Sequence, residues 1–198
     1  MEITRFVFLS NHSGNKKMTR VESNFHDHNQ RLSEKDIVEY VLQRFQCVKQ
    51  SKRMKNLVIF HTANKYMIMV HHQEELKILG NIVANHIKRS FAEILEDYEK
   101  HLIITMSKIP TVKTHSNAIM HIFGYFLKYL NQSEKQLFLD ILEEFREGKI
   151  TIGEILLKIG PIAYRFDSIY LPSQTYFLLY SDIDPNIIFK PVKIKEYE

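Results

Sequence analysis

From Ser33 onward, apolar residues recur at spacings of three and four, the period of helices that bury one face. Ser33 with Asp36 has the pattern of a capping box, and Ile37, Val38, Val41, Leu42 and Phe45 follow as the stripe of a first helix. Residues 57–71 predict a second, apolar on nearly every side around Tyr66-Met-Ile-Met-Val70 and therefore central to a bundle. A third is expected from about Gln73 to Asn85. Phe91, Ile94, Leu95, Tyr98 and Leu102 form the stripe of a fourth, which Pro110 ends, and residues 114–130 predict a fifth. Ser133 is the expected cap of a sixth, with Leu137, Phe138, Ile141, Leu142 and Phe145 facing inward and Gly148 just past its end. Thr151 and Glu154 repeat the capping-box signal for a seventh, which Gly160-Pro161 should interrupt with a kink after Ile159.

Outside this region the pattern weakens. Residues 10–32 carry Asn, His, Ser, Gly, Lys and Asp with few apolar anchors, which predicts a flexible leader without regular structure, and Met18 within it is a candidate start. Residues 172–180 read as a short last helix, and the segment after Pro185, with alternating Ile187, Phe189, Val192 and Ile194, as an extended tail. The expected fold is all-α: a single bundle of about seven helices over residues 33–182, a leader over 1–32 and a tail over 183–198.

Composition agrees and narrows the chemistry. The 198 residues include only five prolines and six glycines, and 44% of them are hydrophobic, enough for one core. A net charge of +4, from 27 Lys and Arg against 23 Asp and Glu, permits a polyanionic partner without requiring one. Cys47 is the only cysteine, so no intrachain disulfide and no cysteine-built zinc or iron–sulfur site can form within these residues, and a cytoplasmic location is expected. Its position at the end of an apolar stripe predicts packing, with Lys49, Lys52 and Arg53 close enough in sequence to lower its pKa. Phe6-Val-Phe-Leu9 is too short for a signal-peptide core, and no apolar run approaches the ~20 residues needed to cross a bilayer. Phosphate-loop, dinucleotide and hydrolase-elbow patterns are absent, as is HExxH, so neither a cofactor nor a metal is implied and no active site is announced. The acidic residues between Asp140 and Glu147 read as the solvated face of the sixth helix.

Two polar stripes remain to be explained. At about 100° per residue, Asn117, His121 and Lys128 fall within roughly 40° of one another on the fifth helix, with Gly124 between them. An interior helical glycine costs about 1 kcal/mol relative to alanine, which predicts a close approach there by a neighbouring backbone or a ligand. His61, Lys65 and His72 form a matching stripe if the second helix continues through His72. Facing each other, the stripes would make either a groove or a set of buried polar fasteners. Lys65, Lys113 and Lys128, with Lys88 and Arg89 on a connection, suit phosphate contacts, while His61, His72, Asn117, His121 and Tyr125 could hydrogen-bond to or stack on unpaired bases. Against this stands the ordinary occurrence of lysines on solvated surfaces and of tyrosine in cores.

Several segments carry a resemblance in order: His61-Thr-Ala-Asn-Lys-Tyr-Met-Ile-Met-Val-His71 leading to Leu79-Gly80, His115-Ser-Asn117 with His121, Gly124-Tyr-Phe126, Phe145-Arg-Glu-Gly148 and Ser173-Gln-Thr-Tyr176. Over residues 55–180 the chain resembles the YbgA-like family of small helical domains of unknown function. Members of that family stand alone or form the C-terminal half of proteins whose N-terminal half resembles an iron–sulfur thiouracil desulfidase, the helical half being implicated in holding transfer RNA. The resemblance implies an RNA-binding, tRNA-accessory module that keeps the RNA-holding role without the desulfidase chemistry, which a separate desulfidase-type partner would supply. Gly160-Pro161 departs from the family pattern of an unbroken basic helix, leaving Lys158 and Arg165 near it. The candidate contact residues are thus His61, Lys65, His72, Lys113, Asn117, His121, Tyr125 and Lys128. A small-molecule enzyme built on a His/Asn groove and a protein-interaction subunit are the alternatives.

Overall fold

The structure, a computed structural model, describes residues 5–10, 16–21, 32–85, 88–166 and 173–181. The chain divides after Arg31 into two compact units. In the first, β1 (Arg5–Ser10) pairs antiparallel with β2 (Lys16–Val21), in a register running from Arg5 opposite Val21 to Ser10 opposite Lys16. Arg5–Ser10 and Lys16–Val21 are thus regular within the segment for which the sequence predicts no regular structure, and the rest of residues 1–31 lies outside the described residues. Phe6, Val7, Phe8, Thr19 and Val21 favour the pleated conformation, and a hairpin needs only local pairing, so a segment too poor in apolar residues for a helix still forms strands.

The second unit is all-α in its described residues. It comprises α1 (Glu34–Ser51), α2 (Met54–Ala63), α3 (Lys65–His71), α4 (Gln73–Ala84), α5 (Phe91–Met106), α6 (Val112–Phe126), α7 (Gln132–Arg146), α8 (Ile152–Phe166) and α9 (Thr175–Tyr180). Its centre is α3, in which every residue from Tyr66 to His71 is buried, and which packs against α2, α4, α5, α6 and α9. Leu57, Leu79, Tyr98, Leu102, Ile119 and Tyr176 are fully buried in the same core. Cys47, expected to pack, is exposed on α1.

Helix starts follow side-chain chemistry closely. Ser33 with Asp36 and Thr151 with Glu154 make the reciprocal hydrogen bonds that their spacing predicts. Ser90 with Glu93 and Thr111 with Thr114 do the same for α5 and α6, so α6 begins earlier than the apolar pattern indicated. For α7 the cap is Asn131 and not Ser133: Asn131 Oδ1 accepts the Glu134 amide at 2.9 Å, and the Ser133 hydroxyl donates to the same oxygen at 2.7 Å. At the other end of α7, Gly148 takes the left-handed conformation, φ +72°, that terminates helices.

Three differences from the predicted elements bear on function. The expected second helix is two, because Asn64 breaks it at φ −103°, ψ 11°, its side-chain amide donating to the Phe60 carbonyl at 2.8 Å and holding the turn open. His72 is extended, φ −158° and ψ 98°, and links α3 to α4, so it leaves the helical wheel on which it was aligned with His61 and Lys65. The fifth predicted helix ends at Phe126, which puts Lys128 in the following turn. By contrast α8 runs through Pro161 to Phe166 without interruption. Pro161 is exposed, and the carbonyl it deprives of a partner belongs to Leu157, also exposed, where water can satisfy it. The predicted tail and the Pro172 start of the last helix lie outside the described residues.

The cap assignment is testable. Asn131→Ala should cost about 1 kcal/mol, lowering the melting temperature by roughly 2–4 °C, whereas Ser133→Ala should cost less. Thermal melts followed by circular dichroism check the order, and a larger loss for Ser133→Ala would move the cap.

Candidate functional site

On the outer side of α6, Lys113, Asn117, His121 and Tyr125 follow one another at intervals of four, forming a ridge about 18 Å long at 1.5 Å per residue. The inner side, His115, Ser116, Ala118, Ile119, Ile122, Phe123 and Phe126, is buried. Past the helix end, the buried side chains of Phe126 and Leu130 anchor the chain, and the Tyr129 amide donates to the Phe126 carbonyl at 2.8 Å. The turn between them is therefore pushed outward, and Tyr125 and Tyr129 are each 52% exposed. Together with Gly124, Leu127, Lys128 and Lys135 these tyrosines line a surface depression of about 660 Å³. Lys128 Nζ lies 4.7 Å from the centre of the Tyr129 ring, a cation–π contact, and the Phe126 ring meets that of Tyr125 edge to face at 5.6 Å. Among the described residues a Cβ on Gly124 would meet nothing within 4 Å, so none of them makes the close approach predicted there.

The second stripe does not face the first. His61 Nδ1 is 3.0 Å from the Tyr98 hydroxyl, and its Nε2 lies 3.7 Å from where a Cβ of Gly80 would stand. Burial, and then the charge of Lys65, lower its pKa. Lys65 is half-buried at the start of α3. Asn117 instead donates its side-chain amide to Gln73 Oε1 at 2.9 Å, beside His72. Gln73 and Gly80 are two turns apart on one side of α4, about 10 Å at 1.5 Å per residue, so both stripes address α4 and not each other. Arg89, named as a phosphate contact, is held in an ion pair by Asp97, while Lys88 is exposed.

The chemically unusual histidines are their neighbours. His71 on α3 and His115 on α6 are both buried, and the first is near enough to act electrostatically on the second. The His71 Nδ1 proton is donated to the Lys108 carbonyl at 2.7 Å, which leaves Nε2 as a buried acceptor with no partner among the described residues. His115 Nδ1 is 3.0 Å from the Tyr176 hydroxyl, and its ring meets that of Tyr180 edge to face at 4.9 Å. The Tyr180 hydroxyl donates to Glu34 Oε2 at 2.8 Å, completing a polar cluster contributed by α1, α3, α6 and α9. Burial, then the neighbouring His71, pushes the His115 pKa down to about 4. Burial also lowers that of His71, with the Lys108 carbonyl and Glu34 acting in the opposite sense. Both tyrosine hydroxyls are raised, first by burial and then by Glu34. These groups are neutral fasteners between helices. The signal for them was present in the ordered segments, which contain His71, His115 and Tyr176, but an alternation-based reading favours polar residues on a surface stripe.

Gln174, buried ahead of α9, donates to the Thr62 carbonyl at 2.9 Å and so ties α9 to the α2–α3 break. Among the described residues no group of three or more His, Cys, Asp or Glu side chains is placed to hold a metal ion. No helix among them is long and apolar enough to cross a membrane.

The exposed depression and, apart from Glu34, the interior cluster fall within residues 65–181, which match the family described as "Protein of unknown function (DUF1722)". The match covers more than half of the chain, and the chain belongs to that family. It is also similar to the uncharacterized protein YbgA of Escherichia coli (strain K12), with 25% identity over 125 residues, 63% of this chain and 74% of that protein. No solved structure matches.

Two outcomes follow from the geometry. Because His115 titrates near 6.5 when unfolded and about 4 when folded, the unfolded chain binds more protons in that window, and stability should fall with pH by about 1.4 kcal/mol per unit, reaching about 3 kcal/mol by pH 4. Urea unfolding across the range measures this, and His115→Gln should flatten the slope. Separately, Gly124→Ala should stabilise the protein by about 0.5–1 kcal/mol, since the added methyl enters open space on a helix. A destabilised G124A protein would show that the position is packed.

Proposed function

We propose that this domain binds RNA, with transfer RNA as its target class, through the α6 ridge and the depression at its end. The observation that carries the reading is the convergence of two half-exposed tyrosines and two lysines in one depression whose lining, among the described residues, includes no acidic residue. Lysines neutralise phosphates and release counterions, while aromatic faces stack on bases, and the two together are the ordinary means of holding a polyanion with accessible bases. The excess of four positive charges favours the approach of such a ligand. Lys113, Asn117, His121, Tyr125 and Lys128 belong to the contact surface, joined by Tyr129 and Lys135. His72 borders it through Gln73, the partner of Asn117. His61, bonded to Tyr98, and Lys65, whose Nζ lies 5.5 Å from the centre of the Tyr66 ring, stand apart from that surface.

In this reading the domain acts in the cytoplasm and presents thiolated transfer RNA to a separate iron–sulfur desulfidase-type protein, the single cysteine of this chain leaving the sulfur chemistry to that partner. The small-molecule enzyme alternative gains no support from the geometry, because the histidines with lowered pKa are interior or turned toward Tyr98 and none lines the depression.

Fluorescence anisotropy with labelled bulk transfer RNA tests the proposal. Three phosphate contacts, from Lys113, Lys128 and Lys135, should weaken binding roughly 20-fold between about 50 and about 200 mM salt. Lys128→Ala/Lys135→Ala should lose about tenfold at the lower salt. No binding at micromolar protein, or an unchanged affinity in the double variant, rejects the reading.

A further inference from the structure

Resting on the RNA-binding reading, we infer that the depression is a site for unpaired nucleotides, their bases stacked on Tyr125 and Tyr129 above a floor left open by Gly124, and that it discriminates against duplex RNA. Four observations lead there. Tyr125 and Tyr129 are each 52% exposed and both line the depression, the ring of Tyr125 lying nearly perpendicular to that of Phe126 and that of Tyr129 beneath Lys128. Leu127, 44% exposed, adds an apolar wall suited to the flat face of a base and of no use to a phosphate.

Gly124 is the third. In the helix interior glycine costs stability relative to any ordinary helix former, and here neither a positive φ nor a tightly packed neighbour requires it. The volume that a side chain would fill opens into the depression, one residue from Tyr125 and one helical turn from Lys128. Its emptiness serves a ligand and not the fold.

The fourth is the placement and kind of the polar groups. Lys128 and Lys135 border the aromatic surface, as phosphates border the bases of a single strand, and Lys128 already reaches across the Tyr129 ring. Among the described residues the lining holds no side-chain amide or carboxylate to read base edges, so stacking without base preference is the chemistry available. A duplex keeps its base faces stacked inside the helix and offers this surface only backbone.

Anisotropy of the full chain with a labelled single-stranded oligouridylate and with an A-form RNA duplex of equal length decides the matter. The single strand should bind at least about tenfold tighter, Tyr129→Ala and Gly124→Leu should each weaken it by about tenfold, and Tyr129→Phe, which keeps the ring, should retain binding. Circular dichroism melts establish that G124L is folded, and if it is not, the Tyr129 pair of variants carries the test. Equal affinity for duplex and single strand, or single-strand binding untouched by Tyr129→Ala, overturns the inference while transfer-RNA binding sensitive to Lys128→Ala/Lys135→Ala leaves the RNA-binding reading standing. Failure to bind any of these RNAs overturns both.

Discussion

A helix without a solvent face has to be covered on every side, and α3 is such a helix. Seven residues long, it could not persist alone in water, since helices shorter than about twelve residues are marginal even with favourable sequences. Its stability is therefore entirely tertiary, and the rest of the unit is arranged to provide it: α2 and α4 continue the chain from either end, while α5, α6 and α9 close the remaining sides. The polar residue it carries into this environment, His71, has to find its partner in the Lys108 carbonyl, which fixes where the α5–α6 connection passes. Covering α3 thus determines both the packing and the path of the chain.

Much of this was legible in the sequence. The period of three and four located the helices, and the Ser33/Asp36 and Thr151/Glu154 pairs named two starts from local hydrogen bonding alone. The centrality of the Tyr66–Val70 run followed from its having no polar side. What escaped were features decided by competition. At Asn64 the side-chain amide shares the Phe60 carbonyl with the residue's own backbone N–H and the backbone departs from helical angles, which a purely apolar count cannot see. Ser133 lost the cap to Asn131 two residues earlier, both residues being chemically able.

The candidate site shows the same division. Lys113, Asn117, His121 and Tyr125 are one ridge, and Tyr125 and Lys128 do reach a common surface, as surface periodicity indicates. The alignment of His61, Lys65 and His72 that would have paired with that stripe is undone by two backbone interruptions, at Asn64 and at His72. The buried histidines were hidden for a different reason: burial of a titratable ring depends on which distant segments arrive around it, here Tyr176 and Tyr180, some sixty residues beyond His115. The segments that mark the family thus hold the interior together, while Tyr129, on the connection that follows α6, and Lys135, in the first turn of α7, complete the exposed face.

The hydrogen bond from His115 to Tyr176 has a mechanical consequence for that face. A helix packed only by apolar contacts can roll about its axis by some tens of degrees with little change in energy, since hydrophobic contact is non-directional. A ring nitrogen and a hydroxyl at 3.0 Å permit no such roll, because the bond weakens steeply with angle. The imidazole inside α6 therefore sets the azimuth of every side chain outside it, and the direction in which Lys113, His121 and Tyr125 point is decided in the dry interior rather than at the surface where they meet solvent.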